Sequence, residues 1–221
     1  RFYRDIRFSP DKSPYKRHFG VYICAKGKKA LRGGYYIHLE PNNCLIAVGS
    51  YWLPTNILTS CRNEIMVNIE KWRRIVENGK FIKTFGYPND GKWEDDTVSE
   101  KGFGLSALKT IPKGFPRDYE FAQYLRMKDY CCWVKVPDNF FKNSDWKKKL
   151  INIVEIGKPM MDMMNSVIDD YEYALSSSNA LVALSTLALA STTGCSLLSR
   201  TFTASAYAFL KLSRSGTAGN S

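Results

Sequence analysis

Histidine is scarce. The chain of 221 residues has two, His18 and His38, so any chemistry that needs an imidazole must use one of them. Six cysteines (Cys24, Cys44, Cys61, Cys131, Cys132, Cys195) are scattered, and no pair has Cys-x-x-Cys spacing. That argues against a zinc knuckle, a dithiol redox motif and a disulfide framework. There is no Gly-rich phosphate loop, Gly-x-Ser-x-Gly elbow or His-Glu-x-x-His motif. No internal repeat occurs. Acidic residues stop at Glu172, and beyond it only Arg200, Lys211 and Arg214 carry charge.

Basic residues, by contrast, are plentiful. Lys and Arg number 32 against 21 Asp and Glu, a net charge of +11. The stretch Arg1–Glu172 alone carries +8. Such a balance suits polyanions, phosphorylated ligands or an anionic surface, and equally Lys-rich faces that are merely solvated. Hydrophobic content of 44% and aromatic content of 14% suffice for a packed core. The scattered, reduced cysteines and the lack of a signal-peptide segment point to a cytoplasmic location. The chain starts inside a β pattern without Met and reads as a fragment.

Strand alternation dominates the first fifty residues. Arg1–Phe8, His18–Cys24, Gly33–Glu40 and Cys44–Tyr51 each alternate, which predicts a four-stranded antiparallel meander. In the third, Tyr35, Ile37 and Leu39 point inward, and Tyr36, His38 and Glu40 share the other face. Pro54 opens a helical run in which Ile57, Leu58, Cys61, Ile65, Ile69, Trp72 and Val76 form a stripe; Gly79 is its expected stop, with Lys80–Phe85 one further turn. A polar loop follows over Tyr87–Gly104, then a short strand at Ser106–Ile111, a short helix at Asp118–Tyr130 and a strand at Tyr130–Val136. Asp145–Tyr173 is a long helix that Pro159 is expected to kink or split. The fold class is therefore α+β, an antiparallel sheet packed against helices. Whether Tyr130–Val136 joins the sheet stays open.

After Tyr173 the composition turns Ala/Ser/Leu-rich. Leu181–Leu198 is uncharged and long enough to be weighed as a membrane span, but its eight polar or small residues make insertion marginal. A disordered or loosely helical tail over 174–221 is the expectation.

Three groups of residues carry candidate chemistry. In the opening stretch RFYRDIRFSPDKSPYKRHFG, Arg4 lies on a face that otherwise favours burial, Asp5 and Arg7 share the opposite face, and Lys12 and Lys16 border a Pro-stiffened loop. Arg4, Arg7, Lys12 and Lys16 are the candidate ligands for a phosphate or carboxylate. Asp5, His38 and Glu40 form a candidate acid–base set, or an alternative metal set, if strand register brings them together. The basic-aromatic run Lys113–Tyr130 suits nucleic acid on charge alone. Trp52 before Pro54 can wall a pocket, although a core position is expected for it.

At RFYRDIRFSPDKSPYKRHFG, GGYYIHLEP and SYWLP the chain resembles a bacterial and fungal family of conserved hypothetical proteins known as domain of unknown function 2461. The resemblance is carried by Arg4, Asp5, Arg7, Phe8, Ser9, Asp11, Lys12, Pro14, Tyr15 and Lys16; by Tyr36, His38, Glu40 and Pro41; by Trp52 and Pro54; by Pro112, Gly114 and Phe115; and by Leu125, Lys128 and Tyr130. It covers about Arg1 to Tyr173. The resemblance implies a further N-terminal helical segment before Arg1, and it brings no established activity.

The function expected from sequence is thus a basic domain that binds a phosphate-bearing or other anionic ligand, nucleic acid included. The alternatives are a hydrolase-like enzyme built on Asp5, His38 and Glu40, and a structural domain whose charges form a salt-bridge network. No cofactor is expected, no metal set is assigned, and the oligomeric state is left open.

Overall fold

The computed structural model describes Arg7, Lys12 and residues 15–27, 30–89 and 99–193, with side chains as far as residue 178. Three strands follow one another closely: β1 (Phe19–Ile23), β2 (Gly34–Leu39) and β3 (Leu45–Ser50). They form the antiparallel meander expected of their alternation, with Val21 opposite Ile37 and Tyr35 opposite Val48. The strand expected over Arg1–Phe8 lies outside the described residues, Arg7 excepted.

The helical run after Pro54 is three helices, not one. They are α1 (Thr55–Val67), α2 (Ile69–Val76) and α3 (Gly79–Phe85). The apolar stripe predicted from spacing is real: Ile57, Leu58, Cys61, Ile65, Trp72 and Val76 are all buried. The chain breaks between α1 and α2 at Asn68, whose side-chain amide donates to the Glu64 carboxylate at 3.0 Å. Gly79 starts α3 instead of ending a helix. The reason is its neighbour: the Asn78 side chain caps α3 by accepting from the Lys80 N–H at 2.8 Å.

Beyond α3 a three-residue strand β4 (Lys101–Phe103) sits within the segment expected to be loop. Ser106–Ile111 is no strand and makes one isolated bridge, Ala107 to Met127. The helix expected over Asp118–Tyr130 is the five-residue α4 (Ala122–Arg126). β5 (Tyr130–Lys135) joins the sheet at an inner position, pairing with β3 on one side and β4 on the other. All pairs are antiparallel, in the order β1-β2-β3-β5-β4. Cys131 and Cys132 are buried because β5 lies in the sheet interior.

The last element, α5 (Trp146–Thr193), runs through Pro159 without ending there. Pro159 is exposed, and no break accompanies it. The chain divides into two compact units, Arg1–Tyr171 and Glu172–Ser221. Among the described residues no helix is long and apolar enough to cross a membrane.

The helices of the first unit cover one face of the sheet. Val48 and Cys132 from that face, Ile57 to Trp72 from α1 and α2, and Met160, Met161, Met164 and Ile168 from α5 make one buried cluster. Trp72 is at its centre, edge-on to Tyr130 and Tyr124 at 5.6 and 5.9 Å. Gly157 lets α5 approach closely: a Cβ there would lie 3.0 Å from Val48 and 3.2 Å from the Cys132 sulfur. The opposite face of the sheet carries Tyr22, Tyr36, His38, Ala47 and Trp133, and it is where the polar chemistry gathers.

Candidate metal centre

Register decides which polar residues meet. Because Phe19 pairs with Leu39 and Gly20 with His38, the residue before β1 is carried alongside the residue after β2. Those residues are His18 and Glu40. Side chains alternate between faces along a strand, so His18 falls on the same face as Gly20, and His38 and Glu40 on the same face as Tyr36. The His18 and His38 rings stack with centroids 5.0 Å apart and planes 20° apart. One ligand atom each from His18, His38 and Glu40 all lie within 4.8 Å of one another.

Hydrogen bonds hold this group in place. His38 Nε2 is 3.1 Å from Glu40 Oε2, and its Nδ1 is 2.9 Å from the Tyr36 hydroxyl. Asn43 Nδ2 donates to Glu40 Oε2 at 2.8 Å. The turn that returns Asn43 to Glu40 has Asn42 at φ 60, a conformation Asn tolerates. The Asp138 carboxylate, accepting from the Asn42 N–H at 2.9 Å, ties that turn to the end of β5. Glu40 is held below the usual glutamate range, first by the Asn43 amide and then by His38. It is therefore an anion at neutral pH. Burial, and then the Glu40 charge, push the Tyr36 hydroxyl up, so Tyr36 stays protonated. His38 is largely enclosed and His18 is exposed, so the group opens to solvent on the His18 side.

Two imidazoles and a carboxylate suit zinc and neighbouring first-row ions, with thiolate absent and oxygen in the minority. Tetrahedral zinc with bonds near 2.0–2.1 Å needs donors ~3.3 Å apart. The three ligand atoms lie within 4.8 Å of one another, so His18 and Glu40 would have to close on His38 to hold such an ion. Tyr36 then accepts from His38 Nδ1–H, which fixes the ring with Nε2 toward the ion.

The sequence-predicted residues divide accordingly. His38 and Glu40 come together as expected. Asp5 and Arg4 lie outside the described residues. Arg7, Lys12 and Lys16 are all exposed. His18 was noted only as one of two histidines, and the signal that finds it is the parity of β1 read with the β1–β2 register. Asp169, far along the chain on α5, also went unpredicted: it pairs with Lys26 at 2.8 Å and with Arg32, tying the β1–β2 connection to the helix layer.

A cavity of about 580 Å³ opens on the same sheet face, with Tyr36 and Leu45 among its lining. Leu45 is the cross-strand partner of His38. Trp52 belongs to the cavity and is 82% exposed, a correction to the core position expected for it. The cause is local backbone: Trp52 has φ 57, which turns its ring away from the helices as the chain leaves β3.

The model of the family described as "Conserved hypothetical protein (DUF2461)" matches residues 1–163. The chain belongs to that family. No curated protein and no solved structure matches it. Of the residues that carry the resemblance, the DUF2461 strand Tyr36-x-His38-x-Glu40-Pro41 supplies the candidate centre, and Trp52 stands at the neighbouring cavity.

Proposed function

We propose that the protein is a metal-dependent hydrolase-like enzyme, with His18, His38 and Glu40 holding a zinc-class ion. The observation that carries this reading is the convergence of these three ligand atoms within 4.8 Å, with His38 oriented from behind by Tyr36. Three protein donors leave a tetrahedral ion one open position, the pattern of catalytic rather than structural zinc. An ion so held lowers the pKa of a bound water and polarises a carbonyl or phosphoryl oxygen. The chain's own residues supply the negative charge (Glu40), the orientation (Tyr36 and Asn43) and access from the His18 side. The basic-domain reading rests on net charge and on the Pro-stiffened loop with Arg4, Arg7, Lys12 and Lys16, most of which lies outside the described residues.

Calorimetric titration with Zn²⁺ at pH 7.5 tests the centre. Micromolar or tighter binding is expected, falling at least a hundredfold in His38→Ala and in Glu40→Gln. Binding no tighter than about 1 mM, or equal binding in both variants, removes the proposal. Hydrolysis of 4-nitrophenyl acetate and 4-nitrophenyl phosphate that EDTA abolishes and Zn²⁺ restores is the test of the chemistry.

A further inference from the structure

The open sheet face has an unusual floor. Its aromatic rings do not stand up from the strands; each lies across a glycine. A Cβ on Gly34 would lie 3.0 Å from the Tyr22 ring, one on Gly20 would lie 2.8 Å from the Tyr36 ring, and one on Gly102 would lie 2.1 Å from the Trp133 ring. The rings are therefore held down by the absence of side chains beneath them. Between Tyr36 and Trp133 in the same cross-strand row stands Ala47, the smallest side chain available. The result is a cavity of about 580 Å³ lined by flat-lying aromatic rings, within the size range of small-molecule sites. Trp52 lines the cavity, is 82% exposed, and meets the Tyr51 ring edge-on at 5.7 Å.

Aromatic walls alone suit either a flat aromatic ligand or a cation. The neighbouring candidate centre decides between them. Arg32 lines the cavity, but its Nη1 is bound by Asp169 and its Nε–H is shielded from solvent, so it presents no free donor to a ligand. A cationic ligand would be repelled by a divalent ion held at His18, His38 and Glu40; an acidic one would be drawn to it. The other end of the cavity is marked by Tyr36, whose ring forms wall and whose hydroxyl bonds His38.

We infer that this cavity binds a planar aromatic acid or its ester, ring system against the Ala47 floor and acyl group toward His18, His38 and Glu40. The acyl end of the inference rests on the metal reading above; the aromatic end rests on the cavity alone. The ligand class follows from shape and polarity together: flat and aromatic because the lining rings lie against the sheet, and acidic because a divalent ion opposes a cation.

Two probes separate the two ends. 2-Naphthol has the ring system without the acid, and 2-naphthoate has both. Calorimetry with zinc-loaded protein is expected to show both binding, with 2-naphthoate at least tenfold tighter. Ala47→Phe fills the floor and should weaken both probes at least tenfold while leaving Zn²⁺ affinity unchanged. Trp52→Asn should do the same from the rim. Its site is exposed and Asn tolerates φ 57, so this variant keeps the test open should Ala47→Phe fail to fold. In His38→Ala the advantage of 2-naphthoate should vanish and 2-naphthol binding persist. If the wild type binds Zn²⁺ but neither probe, or if both cavity variants bind the probes as the wild type does, the inference is overturned and the metal centre stands. If 2-naphthol binds but Zn²⁺ does not, the metal reading fails and takes the acyl end with it.

Discussion

Tyr36 is bonded to one site and forms the wall of another. Its hydroxyl sets the orientation of His38, so Tyr36→Phe should lower Zn²⁺ affinity about 10–100-fold, as loss of a partner behind a metal-bound histidine does elsewhere. Thermal unfolding of the zinc-free protein should move little, because the ring remains. A different kind of residue is Arg62. It is 4% exposed, donates from Nη2 to the Met127 carbonyl at 2.8 Å, and burial lowers its pKa. Arg62→Ala leaves that carbonyl unpaired and a hole beside it, at a cost of about 2–4 kcal/mol in urea unfolding. Arg62→Met keeps the volume and removes a desolvated charge, so it should stay within about 1 kcal/mol of the wild type. Asp169 governs acid sensitivity. Hydrogen bonds from Lys26 and then Arg32 hold its carboxyl below the usual range. Its stabilisation is thus fully present above the unfolded aspartate pKa of ~3.9 and is lost as pH falls through the lowered folded value. The carboxylate is partly exposed, so Asp169→Asn should lower Tm by only about 2 °C at pH 7, and a pH series of melting curves should show the difference closing in acid. At this scale the sequence was readable where alternation is strict. The shared face of Tyr36, His38 and Glu40 follows from counting by twos. His18 and Asp169 do not, because their partners are set by register and by packing between distant segments. Trp52 misled, because one left-handed residue overrides a side chain's hydrophobicity.

Among the elements, the meander of β1, β2 and β3 was legible, and the place of β5 and β4 beside it was not. β1, β2 and β3 announce themselves by alternation and short turns, while β4 is too short to show a period. The stripe from Ile57 to Val76 predicted burial correctly but not continuity, since Asn68 and the capping Asn78 divide it without disturbing the apolar face. Pro159 was expected to kink or split its helix, and α5 is not split there. Two residues earlier, Gly157 is where α5 meets the sheet closely. Gly157→Val should destabilise by about 1–3 kcal/mol despite valine's better helix propensity than glycine's, because Val48 and Cys132 in the sheet interior cannot retreat. Urea unfolding of this variant beside Lys158→Ala, an exposed neighbour expected to stay within about 0.5 kcal/mol, measures the cost of the close approach.

For the molecule as a whole, the α+β class was legible from the order of patterns, and the layer arrangement follows from which strand faces are apolar. The described core residues run from Cys44 to Ile168, all inside the unit Arg1–Tyr171. A chain ending at residue 178 should therefore unfold cooperatively by itself, with Tm within about 2 °C of the full chain; a broad, non-cooperative melt would refute this. The sheet order has a further consequence, in time. β1, β2 and β3 can pair as soon as they are made, but the inner edge of β3 must wait for β5, and Ser50 and its partner Tyr130 are separated by 80 positions. At about 5–20 residues per second of synthesis, that wait lasts ~4–16 s. For that interval a nascent chain carries a finished hairpin pair whose last strand, with Ile46 and Val48, is an open edge beside a stripe of helices not yet docked. Closing so long a loop is entropically slow, so the ribosome-bound half-sheet is the stage at which this fold depends most on chaperones, and at which wrong pairing with a neighbouring nascent chain is easiest.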